Sequence, residues 1–188
     1  MFHRFLILSS ILLGLIASAE ASSRATVDND FVQKQFGDTC DALTTFPPYV
    51  GDLDGDGIED IVIPAHCKNP MSDQAEHSFH VIDPYYTFFG YGNPSVTTSF
   101  VTDDPSTKGL SLLVIHGLGT EAWRADSPKA KFVIVNLPFK AVRIKKLQLR
   151  KRSVDAIFVE EKGGDHMTSA TFWDGKKYRY EPMGSTLE

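Results

Sequence analysis

The stretch GDLDGDGIEDIVI (51–63) sets four aspartates within nine residues and then runs straight into β-branched apolar residues. Ile61-Val62-Ile63 reads as the start of a strand. With Asp52 as position 1, Asp54, Asp56 and Asp60 fall at positions 3, 5 and 9, with Gly57 at position 6 and Ile58 at position 7. Odd positions offer oxygen ligands as a backbone curls around a hard cation, and position 7 offers its carbonyl. Gly57 permits the sharp turn that a side chain would obstruct. Four carboxylates converging with no cation would repel one another, and some would take up protons. Calcium, which accepts six to eight oxygens at flexible distances, suits this set better than magnesium's strict octahedron. A helix–loop–helix site is excluded: position 12 is Ile63 where a bidentate Glu is needed, and Pro47-Pro48 stops any entering helix.

The pattern resembles the calcium loop of the FG-GAP and VCBS-type repeat families, where Asp-x-Asp/Asn-x-Asp-Gly-x-x-Asp leads into an apolar strand. The resemblance implies calcium held by the side chains of Asp52, Asp54, Asp56 and Asp60 and by the Ile58 carbonyl. It also implies propeller-like sheets. The approach here is TFPPYV (45–50) in place of those families' Phe-Gly approach, and one loop in a chain of this length is too few for a closed propeller.

Outward from the loop, the chain is punctuated as a β protein. DIVIPAH (60–66), SFHVID (78–83), VTTSFVT (96–102), LSLLVIHG (110–117), KFVIVNLP (131–138), VRIKKLQLRK (142–151) and DAIFVEEK (155–162) are strand-like and bounded by turn residues. The break at Lys145-Lys146 suggests a bulge. In SATFWDGKKYRYEP (169–182), Asp174-Gly175 between aromatic runs predicts a hairpin. One helix is expected in 25–38, capped at Asp28 or Asp30, with Phe31, Val32 and Phe36 as its apolar stripe and Gly37 as its stop. The expected fold is mainly β, an antiparallel meander, sandwich or partial propeller-like set of sheets. Residues 39–188 would form the β-rich domain behind a helical segment at 22–38.

Residues 1–21 have the layout of a secretory signal: a basic start at His3-Arg4, an apolar run from Phe5 to Ile16, then Ala17-Ser18-Ala19 and Ala19-Glu20-Ala21. The apolar run is too short to span a bilayer, and no later stretch reaches the length of a transmembrane helix. The address expected is secreted or periplasmic. Cys40 and Cys67, the only two cysteines, should pair in such a compartment and bracket the aspartate loop. The net charge of −5 conceals two halves: residues 28–104 carry 14 acids and 2 bases, and residues 105–188 carry 9 acids and 15 bases. An acidic face and a basic face follow.

Other motifs carry less. LLVIHGLGTEAW (112–123) resembles the oxyanion strand of an α/β-hydrolase, but no G-x-S-x-G elbow exists in the chain, so His116 is read as structural. His66, His77 and His80 beside Cys67 suggest zinc, yet odd spacing on a strand sends His77 and His80 to opposite faces. DPYYTFFGYGNP (83–94) holds five aromatics in 85–91, either a stacking platform or a core beneath a turn, and Trp123 and Trp173 could extend such a surface. RIKKLQLRKR (143–152) is read as the wet face of an amphipathic strand rather than an anion site. Neighbouring acids such as Asp103-Asp104 or Glu160-Glu161 point to opposite faces of a strand and make poor acid/base pairs. The function expected is that of an exported calcium-binding module, non-enzymatic, with a carbohydrate or protein ligand and no nucleic acid. The alternative is a hydrolase acting on cell-envelope polymers.

Overall fold

The structure is a computed structural model describing residues 27–90, 106–150, 152–162 and 167–185. The leader expected at 1–21, the strand expected at 96–102, Tyr91 and Asp103-Asp104 lie outside the described residues. The fold is mainly β, with two sheets and no closed barrel among the described residues.

Asp28 accepts a hydrogen bond from Phe31 N and caps α1 (Asn29–Phe36), which Gly37 ends at φ 83°. The first sheet follows. It contains β1 (Cys40–Ala42), β2 (Tyr49–Gly51), β3 (Asp60–Cys67), β4 (His80–Ile82), β5 (Leu110–His116) and β6 (Ala130–Ile134) in the order β1-β3-β5-β6-β4. β2 shares the β1 side of β3: β1 runs beside residues 65–67 and β2 beside residues 60–62. Pro64 falls at the break between them. Its missing donor costs no ladder bond there, while its carbonyl accepts from Leu43 N. The second sheet is a four-stranded antiparallel meander of β7 (Phe139–Gln148), β8 (Ser153–Glu161), β9 (Met167–Trp173) and β10 (Tyr178–Ser185).

The layers explain why 61–63 is apolar without alternation. Ile61, Ile63, Ala65 and Cys67 pack with Val32 and Phe36 of α1. Val62, with Leu112 and Val114 of β5, packs against Ile157, Val159, Tyr178 and Tyr180 of the second sheet. A strand covered on both faces has no position left for a polar side chain. The bridge expected between Cys40 and Cys67 is present, joining residues that lie directly opposite in the β1–β3 ladder. Among the described residues no helix is long and apolar enough to cross a membrane.

The structure departs from the sequence reading at several points. β4 pairs parallel with β6, so the first sheet is mixed. Ser78-Phe79 precede β4 instead of belonging to it. The irregularity of β7 lies between Phe139 and Ala141, and Lys145 and Lys146 pair in register with Ala156 and Asp155. The charges at 145–146 need no bulge: Lys145 points outward, and Lys146 faces its cross-strand partner Asp155 at 2.9 Å. The 83–90 stretch forms a second helix, α2 (Pro84–Phe89), whose first amides are met by Asp83 and whose Pro84 sits where its missing donor is harmless. The hairpin expected at Asp174-Gly175 joins β9 to β10, with Trp173 opposite Tyr178.

Candidate metal centre

The aspartate loop connects β2 to β3, and its last ligand position, Asp60, is the first residue of β3. That placement carries the Asp60 carboxylate into the core, where it is fully buried. Three backbone amides meet it: Leu53 N at 2.7 Å and Asp54 N at 3.3 Å on Oδ2, and Gly117 N at 2.8 Å on Oδ1. Burial nonetheless raises its pKa to about 7, opposed by those amides and assisted by the neighbouring charge of Asp54. Asp52 accepts from Gly55 N and Gly57 N at 2.9 and 3.0 Å. Asp54 Oδ1 accepts from Asp56 N, and Asp56 Oδ1 from Ile58 N. Each turn of the loop is thus folded around a carboxylate. Gly55 and Gly57 adopt φ 79° and 84°, a conformation that side chains resist.

Ligand atoms of Asp52, Asp54 and Asp60 lie within 4.8 Å of one another, the one such group of His, Cys, Asp and Glu among the described residues. It could hold a metal ion, and an all-carboxylate donor set suits a hard cation. Of the five ligands read from the sequence, these three converge. Asp56 stands apart from the group, its Oδ2 taking a hydrogen bond from Lys129 Nζ at 2.6 Å that holds its pKa below the usual carboxylate range. Ile58 donates its N–H to Asp56 and packs its side chain on the α1-side core. The histidines suggested for zinc form no such group.

Around the loop, the structure assembles groups that the sequence reading had kept apart. Lys129 also donates to Asp54 Oδ2 at 2.7 Å, and the two carboxylates raise its pKa well above the ordinary lysine value. His116, buried at the end of β5, places Nδ1 3.4 Å from Asp54 Oδ2 and Nε2 2.7 Å from the Tyr178 hydroxyl. Burial pushes the His116 pKa well below its ordinary value, against the pull of Asp54, so the ring is neutral at pH 7. Burial also raises Tyr178, with the charges of Asp60 and Asp54 adding to it. His116 therefore links the loop to the second sheet. The approach to the loop is fixed by Asp155 of β8, which accepts from Asp52 N at 3.0 Å. The exit is fixed by Glu59, which accepts from Trp123 Nε1 at 2.8 Å.

The aromatic candidates separate. Trp123 is buried with Arg124 stacked 4.0 Å over its ring, and the partly buried Trp173 packs on His116, Phe132 and Tyr178. Phe88 and Phe89 of α2 are 48% and 47% exposed, next to Tyr85 and Tyr180. The basic run starts on β7, an edge strand, with Arg143 and Lys145 exposed, and continues past its end at Gln148. No family model, curated protein or solved structure matches the chain.

Proposed function

We propose that the chain is an exported β-rich binding or scaffold module whose 52–60 loop holds one calcium ion, as the FG-GAP and VCBS-type loops do. The observation that carries this reading is the convergence of Asp52, Asp54 and Asp60 at the mouth of the central strand. Calcium there has a structural role. It neutralises carboxylates that the fold has already brought together, and its binding energy adds to folding. Export is supported by the leader-like first 21 residues and by the Cys40–Cys67 bridge, which persists in oxidising compartments. A binding role is supported by the half-exposed rings of Phe88 and Phe89, which offer flat apolar faces to a sugar or a protein side chain.

The test is thermal unfolding with saturating calcium and with chelator, on the parent and on Asp52→Asn. Calcium at about 100 times its dissociation constant stabilises the folded state by about 2.7 kcal/mol. For a chain of this size that is a rise in midpoint of about 5–10 °C, and Asp52→Asn should lose most of it. Equal midpoints in calcium and chelator, with no heat on calorimetric titration, would remove the metal from this reading.

A further inference from the structure

Lys129 sets its ammonium 2.7 Å from Asp54 Oδ2 and 2.6 Å from Asp56 Oδ2. These carboxylates stand at positions 3 and 5 of the loop, and the other oxygen of each is engaged by the loop's own amides. The two Oδ2 atoms are therefore the pair turned toward a cation, and a cation rests on them that belongs to the protein. Its placement comes from the framework. Lys129 N donates to His116 O at 3.0 Å, one residue before β6, where Ala130 pairs with His116. The β5–β6 pairing thus delivers Lys129 to the loop from 73 residues beyond Asp56. The lysine is 43% exposed on its side chain. It also lines an open basin of about 460 Å³ with Lys34, His77 and Asp126, which gives its stem room to swing away.

We propose that Lys129 is a tethered counter-cation in the metal seat, so that its ammonium and a divalent ion are alternative occupants and the lysine sets the concentration at which metal enters. This rests on the metal-loop reading above. The Lys129 ammonium engages two carboxylates here, whereas calcium gathers six to eight oxygens. Expelling the lysine frees Asp56, which stands outside the group of Asp52, Asp54 and Asp60, to complete the donor set. In the lysine state Asp54, the member of the converging group nearest the ammonium, has a positive partner, which lowers the cost of its facing Asp52 and Asp60.

The experiment is calorimetric titration of calcium chloride into the chelator-treated chain and into Lys129→Met at one ionic strength, with thermal unfolding of both in chelator and in excess calcium. The variant is expected to bind calcium about tenfold more tightly, to melt below the parent in chelator, and to melt level with it in calcium. Binding by the variant alone would also support the seat, while removing calcium from the native chain's repertoire. Equal affinities would overturn the displacement and leave the metal loop standing. Absence of binding in both would overturn both. If Lys129→Met does not fold, reductive methylation of the parent decides: faster modification of Lys129 in calcium than in chelator supports exchange, and equal rates overturn it.

Discussion

Gly117 offers the sharpest test of how the loop is held. It follows β5, and its N–H donates to the buried Asp60 carboxylate at 2.8 Å. A methyl group there would run into the Glu59 carbonyl oxygen, and would meet the Ala122 carbonyl carbon at 2.8 Å and Ile58 Cγ2 at 2.9 Å. Two of those three neighbours are backbone, so they cannot swing aside. Relief to an ordinary contact of about 3.4 Å requires the segments on either side to part by about 0.6 Å or more. Overpacking of this kind costs about 1–3 kcal/mol. The same shift stretches the Gly117–Asp60 bond, and a weakened bond to a buried charged group adds about 1–2 kcal/mol. Gly117→Ala should therefore lose about 2–5 kcal/mol, or about 4–20 °C in midpoint, by urea and thermal unfolding. Gly55→Ala provides the control. There φ is 79° with nothing within 4 Å of the added methyl, so only left-handed backbone strain of about 1–2 kcal/mol applies. A loss below about 1 kcal/mol for Gly117→Ala would refute the reasoning, since the loop exit and the Gly117 segment would then be free to separate.

Two further outcomes follow from other parts of the fold. The Cys40–Cys67 bridge spans a sequence separation of 27, for which the chain-entropy relation gives about 3.6 kcal/mol, so Cys40→Ala/Cys67→Ala should lower the urea midpoint by an amount equivalent to about 3 kcal/mol. At the β9–β10 turn, burial works against the Asp174 charge, but the Arg179 hydrogen bond and the Lys176 and Lys177 amides bring its pKa to about 2. A carboxylate depressed in the folded state stabilises above its unfolded pKa of about 4 and stops doing so as pH falls from about 4 to 2. Asp174→Asn should accordingly flatten the acid limb of a stability–pH profile in that window. The effect should be about 1 kcal/mol or less at this partly exposed pair, and an unchanged limb would contradict the assignment.

What the sequence disclosed and what it withheld divide along a physical line. The cap of α1 at Asp28, its stop at Gly37, the turn at Asp174-Gly175 and the apolar run after Asp60 are all written in consecutive residues. The aspartate spacing was equally local, and three of its four carboxylates do converge. Lys129, His116 and Asp155 reach the loop from 73, 62 and 103 residues away from their partners Asp56, Asp54 and Asp52. No spacing rule connects residues that only strand pairing brings together. β1 and β2 were missed because three-residue strands are too short to show a period. The parallel register of β4 depends on its pairing with β6, which is likewise a long-range choice. Asp56 was assigned by pattern, and its capture by an ammonium is a tertiary event that pattern cannot register.

The bridge and the aspartate loop fasten opposite ends of β3, with Cys67 at one end and Asp60 at the other. Any coupling between the two along that strand is reciprocal. If oxidation of the cysteines tightens cation binding by some factor, cation binding must favour oxidation by the same factor, because the cycle of four states closes.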